Sequence, residues 1–250
     1  MKYLIFFIFL ACHVTAKPLR FVTEELPPYQ IVDSSGKLVA GTSFSLISEL
    51  LDNIQVEAKI EVMPWARAYR TALDEKNTFI FSIARSPQRE SSFHWIAPLR
   101  QLRFHFYGLK KASSEVYLAK KSVLDLRVVA VRGSIEADLL RQSGFTTNQN
   151  LTLTDNYLSG WKMLLLGRVD AIYANEYVKS GITKQLGFDE SPFYVQYSMN
   201  QVLELYIAAN VNSDPEIISL ITRQFNKMKK SGRMREIIEE QEQLIYDAKL

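Results

Sequence analysis

The sequence contains very little cysteine and histidine. Its one cysteine, Cys12, lies within the first sixteen residues. If that leader is removed, the remaining chain has no thiol nucleophile and cannot form a disulfide bond. The histidines outside the leader, His94 and His105, are not spaced to form a zinc site with another ligand. We therefore predict a protein without a structural metal, a Cys-His dyad or a cofactor.

Long apolar runs are also scarce. The one sustained run, residues 3–10, follows Lys2 and precedes the small residues Val14, Thr15 and Ala16, a pattern typical of a secretory signal peptide. It is well short of the roughly twenty residues that span a bilayer. We predict that residues 1–16 are removed after Ala16 and that the product is a soluble periplasmic protein. Alternatively, residues 9–12 resemble a lipoprotein cleavage box, with Cys12 as the lipid-anchored first residue.

The sequence has almost no excess of positive over negative charge. The net charge at pH 7 is +3 over 250 residues and is spread along the chain, which argues against a nucleic-acid partner. The composition is even, with 47% hydrophobic residues and no low-complexity linker. For a chain longer than most single domains, this favours two interwoven lobes over separate domains. We expect a monomer.

Short β-rich runs alternate with helical stretches along the chain, which predicts an α/β fold with largely parallel sheets. The triplet Asp214, Pro215 and Glu216 marks the start of the first of two terminal helices. Residues 33–37 give a hairpin signal. The predicted strands are 19–23, 56–62, 79–82, 102–109, 127–131, 169–174 and 203–209, and the predicted helices are 44–51, 64–75, 135–142, 160–166 and 176–186.

Five segments together resemble one family. They are GTSF at 41–44, PW at 64–65, SIARSPQR at 82–89, GRVDAI at 167–172 and KKSGRMREII at 229–238. In this order they resemble the bacterial extracellular solute-binding proteins of family 3, whose best-known members bind polar amino acids for ABC transporters. The resemblance covers nearly all of the chain beyond the leader.

The resemblance implies a type II periplasmic-binding-protein fold. Lobe 1 would comprise residues 17–108 plus 200–250, and lobe 2 residues 109–199, each with a mostly parallel sheet flanked by helices. Two crossing strands would form the hinge. The ligand would bind between the lobes, and hinge closure would bury it.

The resemblance also implies a set of ligand-binding residues. Arg89 falls on the arginine that grips the ligand's carboxylate, and a planar guanidinium suits that role because it offers two parallel donors. Ser134 matches a hydroxyl at a helix start, where free amides share the same carboxylate, although an ordinary helix cap has the same sequence. Tyr29 and Trp65 match aromatic positions that line the cleft.

Of the remaining site positions, Ser82 matches the family pattern, whereas Ala84 and Asn175 depart from it. Ser82 and Ala84 match polar positions that face the ligand's amino group, and Ala84 leaves only its carbonyl there. Arg85 is either a second ligand contact or a contact between the lobes. Asn175 stands where typical members have an aspartate that holds the ligand's ammonium group. The Asn175 amide lacks the negative charge of an aspartate. An ordinary amino acid is therefore a less secure prediction for the ligand, unless Glu176 supplies that charge.

The predicted function is capture of a small polar solute, an amino acid or a related carboxylate, for delivery to an ABC importer. No catalysis is predicted. A sensory protein that presents its ligand to a membrane receptor remains an alternative, as does an interaction module that has lost binding. A third is a dehydratase on the same fold, with Glu25, Glu176 and His94 as acid or base candidates, although nothing in the sequence pairs them.

Overall fold

The structure is a computed structural model that describes residues 19–110 and 122–247. The predicted signal peptide and Cys12 lie outside the described residues. No helix in the described ranges is both long and apolar enough to cross a membrane.

The strands are β1 (Leu19–Thr23), β2 (Ile31–Val32), β3 (Leu38–Ala40), β4 (Ala58–Val62), β5 (Thr78–Ala84), β6 (Phe93–Leu109), β7 (Val128–Val131), β8 (Leu151–Thr154), β9 (Ala171–Asn175) and β10 (Phe193–Asn210). The α-helices are α1 (Thr42–Ile54), α2 (Trp65–Asp74), α3 (Ile135–Gln142), α4 (Tyr157–Leu165), α5 (Glu176–Gln185), α6 (Pro215–Ser231) and α7 (Arg233–Asp247).

Eight strands form one sheet in the order β4-β1-β5-β10-β6-β9-β7-β8. We call β4, β1 and β5 with their helices the first half, and β9, β7 and β8 with theirs the second half. Pairing is parallel within each half. The long strands β6 and β10 pair antiparallel between the halves, and β10 reaches β5 while β6 reaches β9. The α/β prediction is confirmed, and the antiparallel centre makes the sheet mixed.

Hydrophobic periodicity explains why α1 packs on the sheet. Leu46, Ile47 and Leu50 are buried in this helix, and their spacing puts them on one face. Beneath the helices, β5 is buried along its whole length, and Phe79 stacks on Phe21 of β1 with ring centroids 4.8 Å apart. A buried parallel strand of this kind reads as a continuous apolar run.

The predicted starts of α3, α5 and α6 are confirmed, and each of these starts has a side-chain cap. The Asp214 side chain accepts a hydrogen bond from the Glu216 amide at 2.9 Å, with Pro215 at the first helical position. The helix predicted from residue 160 starts earlier, at Tyr157, because Asn156 caps it through the Ser159 amide.

Two long strands extend beyond their predicted bounds. Pro98 normally argues against a central strand because it lacks an amide proton. Here Pro98 of β6 stands opposite Tyr206 of β10, next to a register shift between Leu205 and Tyr206 that breaks the regular pairing. Strand β8 was not predicted from sequence at all.

The two halves touch each other through α5 of the second half. Gly181 lies so close to the loop after β1 that an added Cβ atom would stand 2.5 Å from the Pro27 carbonyl carbon. The Gln185 amide nitrogen donates to Glu25 at 2.5 Å. The structure is therefore a closed form of the molecule.

Candidate functional site

A small cavity lies at the carboxyl ends of strands from both halves, where open α/β sheets bind their ligands. Its volume is about 20 Å³, enough for roughly one water molecule. We call it the central cavity. Its lining consists of Glu24, Leu26, Trp65, Ser82, Ala84, Arg89, Leu102, Ser134, Ile135, Glu136, Tyr157, Asn175 and Leu205.

Arg89 is buried in this lining and contacts both halves. Its Nη1 donates to the Ala84 carbonyl of the first half at 3.3 Å, and its Nη2 donates to the Gly133 carbonyl of the second half at 3.2 Å. Asp138 is its ion-pair partner, at 3.7 Å. A single guanidinium thus bridges the cleft through two backbone oxygens.

Trp65 reinforces the same bridge. It opens α2 and is buried, and its Nε1 donates to the Gly133 carbonyl at 2.8 Å. The Arg89 guanidinium lies 5.6 Å from its ring centroid and 5.0 Å from that of Tyr69, within the range of a cation–π contact. The Gly133 carbonyl therefore accepts hydrogen bonds from two side chains of the opposite half.

Ser134 forms the cap of α3. Its Oγ accepts a hydrogen bond from the Ala137 amide at 3.2 Å, and the side chain is buried at the cavity wall. The capping interpretation of this residue is thus observed, and its proposed contact with a ligand stays a prediction.

Ser82 lies in β5 with a φ of +58°, a left-handed conformation that costs free energy and often occurs at functional sites. Its Oγ accepts a hydrogen bond from Gln30. The nearby Ala84 carbonyl, expected to face a ligand, accepts from Arg89 in this closed form.

Asn175 joins the halves on the other side of the cavity. Its Oδ1 caps α5 by accepting from the Tyr177 and Val178 amides at 3.2 and 3.1 Å. The same atom accepts from the Tyr29 hydroxyl at 3.3 Å. Tyr29 is buried next to Tyr177 and is not among the residues that line the central cavity.

Arg85 lies apart from the other candidates. Its guanidinium pairs with the Glu90 carboxylate at 2.5 Å and lies over the rings of Trp95 and Tyr206. Arg85 and Glu90 follow β5, whereas Trp95 lies in β6 and Tyr206 in β10. Arg85 does not line the central cavity.

Sequence reasoning missed three polar residues of the cavity: Glu24, Glu136 and Tyr157. The Tyr157 hydroxyl donates to Glu136 Oε1 at 2.8 Å. The positions of the two acids along the chain are the signals that could have identified them. Glu24 directly follows β1, and Glu136 lies in the first turn of α3, two residues after Ser134.

Burial dominates the electrostatics of these two acids. It raises the pKa of Glu24 well above its ordinary value of 4.5, the charge of Glu136 adds to this, and Arg89 opposes it. Burial likewise raises the pKa of Glu136, which its own backbone amide, Tyr157 and Ser134 partly offset as hydrogen-bonding groups. Both acids therefore resist ionisation unless a further positive charge is close.

The family profile of the bacterial extracellular solute-binding proteins, family 3, matches residues 19–241. The chain belongs to this family. Members of the family are solute-binding proteins. No curated protein sequence is significantly similar to the chain.

Solved structures of several similar proteins share the fold of this chain. An ancestral arginine-binding protein bound to arginine is 21% identical, with a TM-score of 0.74, covering 90% of this chain and 97% of that one. The arginine-, lysine-, histidine-binding protein ArtJ from Geobacillus stearothermophilus is 15% identical, with a TM-score of 0.76 and 90% and 95% coverage. A histidine kinase sensor domain similar to periplasmic binding proteins is 14% identical, with a TM-score of 0.76 and the same coverage. These matches establish the two-lobed periplasmic-binding-protein fold.

Proposed function

We propose that this family member is a periplasmic protein that captures an amino acid or a related carboxylate in the central cavity and performs no chemistry on it. The observation that carries the proposal is Arg89. Its guanidinium is buried and holds one backbone oxygen from each half. A ligand carboxylate offers two oxygens to the same fork with charge assistance, so it can take the place of these neutral acceptors.

Ligand binding requires the halves to separate. A cavity of about 20 Å³ holds a water molecule but not an amino acid. Since β6 and β10 are the long strands that reach both halves, we propose that they act as the hinge. With this hinge, lobe 1 comprises residues 17–108 plus 200–250, and lobe 2 comprises residues 109–199. The closed form then re-forms around the ligand.

The structural neighbours support the ligand class. One is bound to arginine, and another is described as binding arginine, lysine and histidine. The dehydratase alternative has less support, because its acid or base candidates Glu25, Glu176 and His94 do not line the central cavity. Delivery to an ABC importer is the proposed use of the captured solute.

Substitution of Arg89 tests the binding site. We expect the refolded Arg89→Ala protein to lose all ligand-induced thermal stabilisation across a panel of amino acids, opines, small carboxylates and polyamines. Refolding is needed to remove any ligand that copurifies. The matched control is Arg70→Ala, because Arg70 is an exposed residue of α2 paired with Asp74. Unchanged stabilisation by the same ligand in Arg89→Ala would refute the carboxylate grip.

A sensory role is the second candidate, and the likeness to a histidine kinase sensor domain favours it. Both roles use the same closed form and differ in the membrane partner. Deleting the gene and measuring uptake of the identified ligand separates them. Lost uptake supports delivery to an importer, whereas normal uptake with a lost transcriptional response supports sensing.

A further inference from the structure

Glu136 is a buried acid with an unused hydrogen-bonding atom at the central cavity. It is 2% exposed, and Tyr157 donates to its Oε1. Its Oε2 is fully buried and has no hydrogen-bond partner among the described residues. Buried carboxylate oxygens normally have partners, so an unpartnered one on a residue that lines the cavity indicates a missing donor.

Glu24 presents a second carboxylate to the same cavity. It is 5% exposed, and no hydrogen bond or ion pair to its carboxylate is found within residues 19–110 and 122–247. The charge of Glu136 is close enough to disfavour ionisation of Glu24. The two acids come from opposite halves, Glu24 after β1 and Glu136 in α3, and therefore meet only in the closed form.

The positive charge available to these acids is insufficient. Arg89 is the one cationic side chain among the described residues that line the central cavity, and it already contacts Asp138. With both acids ionised, the lining therefore carries one net negative charge. Enclosed carboxylates are stable as ions only when paired with a cation.

We propose that Glu24 and Glu136 form an acidic subsite that holds the cationic groups of the ligand, which makes the solute a basic amino acid. Such a molecule has one carboxylate for Arg89 and two positive groups for the two acids, so the filled cleft is neutral. The subsite would also supply the negative charge that Asn175 lacks. This inference rests on the proposed function and specifies its ligand.

Two pairs of probes with nearly equal shape isolate the charge. L-Arginine is compared with L-citrulline, and L-lysine with L-norleucine, by titration calorimetry on refolded protein. We expect at least one basic probe to bind at least about tenfold more tightly than its neutral counterpart, because truncating one partner of a buried charge pair costs at least that much.

Substitution of the acids then assigns the preference. Glu136→Gln and Glu24→Gln should each reduce the ratio between the basic and the neutral probe by about tenfold or more. The control is Glu190→Gln at an exposed acid far along the chain from both, which should leave the ratio unchanged. The ligand-free variants should melt at or above the wild-type temperature, because each substitution removes an uncompensated charge.

The possible failures are distinguishable. If neutral probes bind as tightly as basic ones and still require Arg89, the acidic subsite is wrong and the proposed function stands. If no probe binds, and none stabilises the protein through Arg89, both are wrong. A variant that melts below wild type while keeping its preference for the basic probe shows that the acid is structural, and this too overturns the subsite.

Discussion

Glu24 and Glu136 link the stability of the ligand-free protein to pH. The folded-state pKa of each acid is raised by burial above the value expected in the unfolded chain. The folded form therefore holds these protons more tightly than the unfolded form does. The resulting stabilisation is present below the ordinary carboxyl range and is lost as the pH rises through the raised pKa values.

This linkage predicts a pH-dependent difference in melting temperature between wild type and a variant without the two acids. The double variant Glu24→Gln, Glu136→Gln should lack this loss, so its melting temperature should exceed that of wild type by an amount that grows from about pH 4.5 towards neutrality. A change of about 1 kcal/mol moves the melting temperature of a chain this size by about 2–4 °C, and we expect at least that difference at pH 7. Calorimetric melts across the pH range measure it. A difference that is constant with pH would contradict the raised pKa values.

Sequence reasoning located some site residues and overlooked others for a physical reason. Arg89, Ser134 and Asn175 stand in or beside local patterns, a polar loop, a helix start and a strand end, and all three line the cavity. Glu24 and Glu136 carry only a positional signal, one directly after β1 and the other in the first turn of α3. Their importance arises from burial and from each other, and neither property is visible before the halves meet.

Helix α5 determines how closely the halves approach. Gly181 leaves room for the Pro27 carbonyl group, and a Cβ atom there would stand 2.6 Å from that carbonyl oxygen. Backbone atoms of two elements cannot yield as a flexible side chain can. The space left by one missing methyl group thus permits the closed form.

Gly181→Ala should favour the open form without harming the helix. Alanine is a better helix former than glycine by about 1 kcal/mol, so the ligand-free protein should melt no lower than wild type. Ligand affinity should fall by about tenfold or more, because closure is obstructed. Titration calorimetry of the Gly181→Ala protein measures this. Ser180→Ala, at the exposed neighbouring position, is the control, and equal loss in both variants would argue against the steric explanation.

Local sequence signals predicted most elements correctly, and long-range pairing accounts for the exceptions. The helix bounds of α3 match the prediction because a capping serine and a closing glycine mark both ends. Strands β6 and β10 exceed their predicted lengths because each is stabilised along its whole course by the other. The unpredicted parts contain strand-forming aromatic and branched residues at 93–96 and 193–197, but Pro98 interrupts the first of them.

The closed molecule has its halves in contact beyond the cavity as well. Glu25 of the first half and Gln185 of the second are hydrogen-bonded at 2.5 Å, and Arg100 of β6 lies 3.9 Å from the Tyr177 ring centroid. Ligand access therefore requires the separation of several contacts at once. A molecule held closed should be unable to exchange its contents.

Cross-linking across the halves tests this. Cys12 is the only cysteine in the sequence, so thiols introduced as Glu25→Cys and Gln185→Cys into the protein lacking residues 1–16 can be joined by a short bifunctional reagent. The joined protein should show no ligand-induced rise in melting temperature. Each single-cysteine protein, treated in the same way, should retain that rise. Normal binding by the joined protein would exclude hinge opening as the route of access.

The Gly133 carbonyl receives hydrogen bonds from Arg89 and Trp65. This backbone oxygen therefore competes with a ligand for the Arg89 guanidinium. In the proposed binding mode an incoming carboxylate displaces a backbone oxygen. The measured affinity is then the affinity of the free guanidinium multiplied by the fraction of molecules in which the guanidinium is free. Weakly held solutes are thereby rejected. Because every amino acid at position 133 carries the same oxygen, no single side-chain replacement there can remove the threshold.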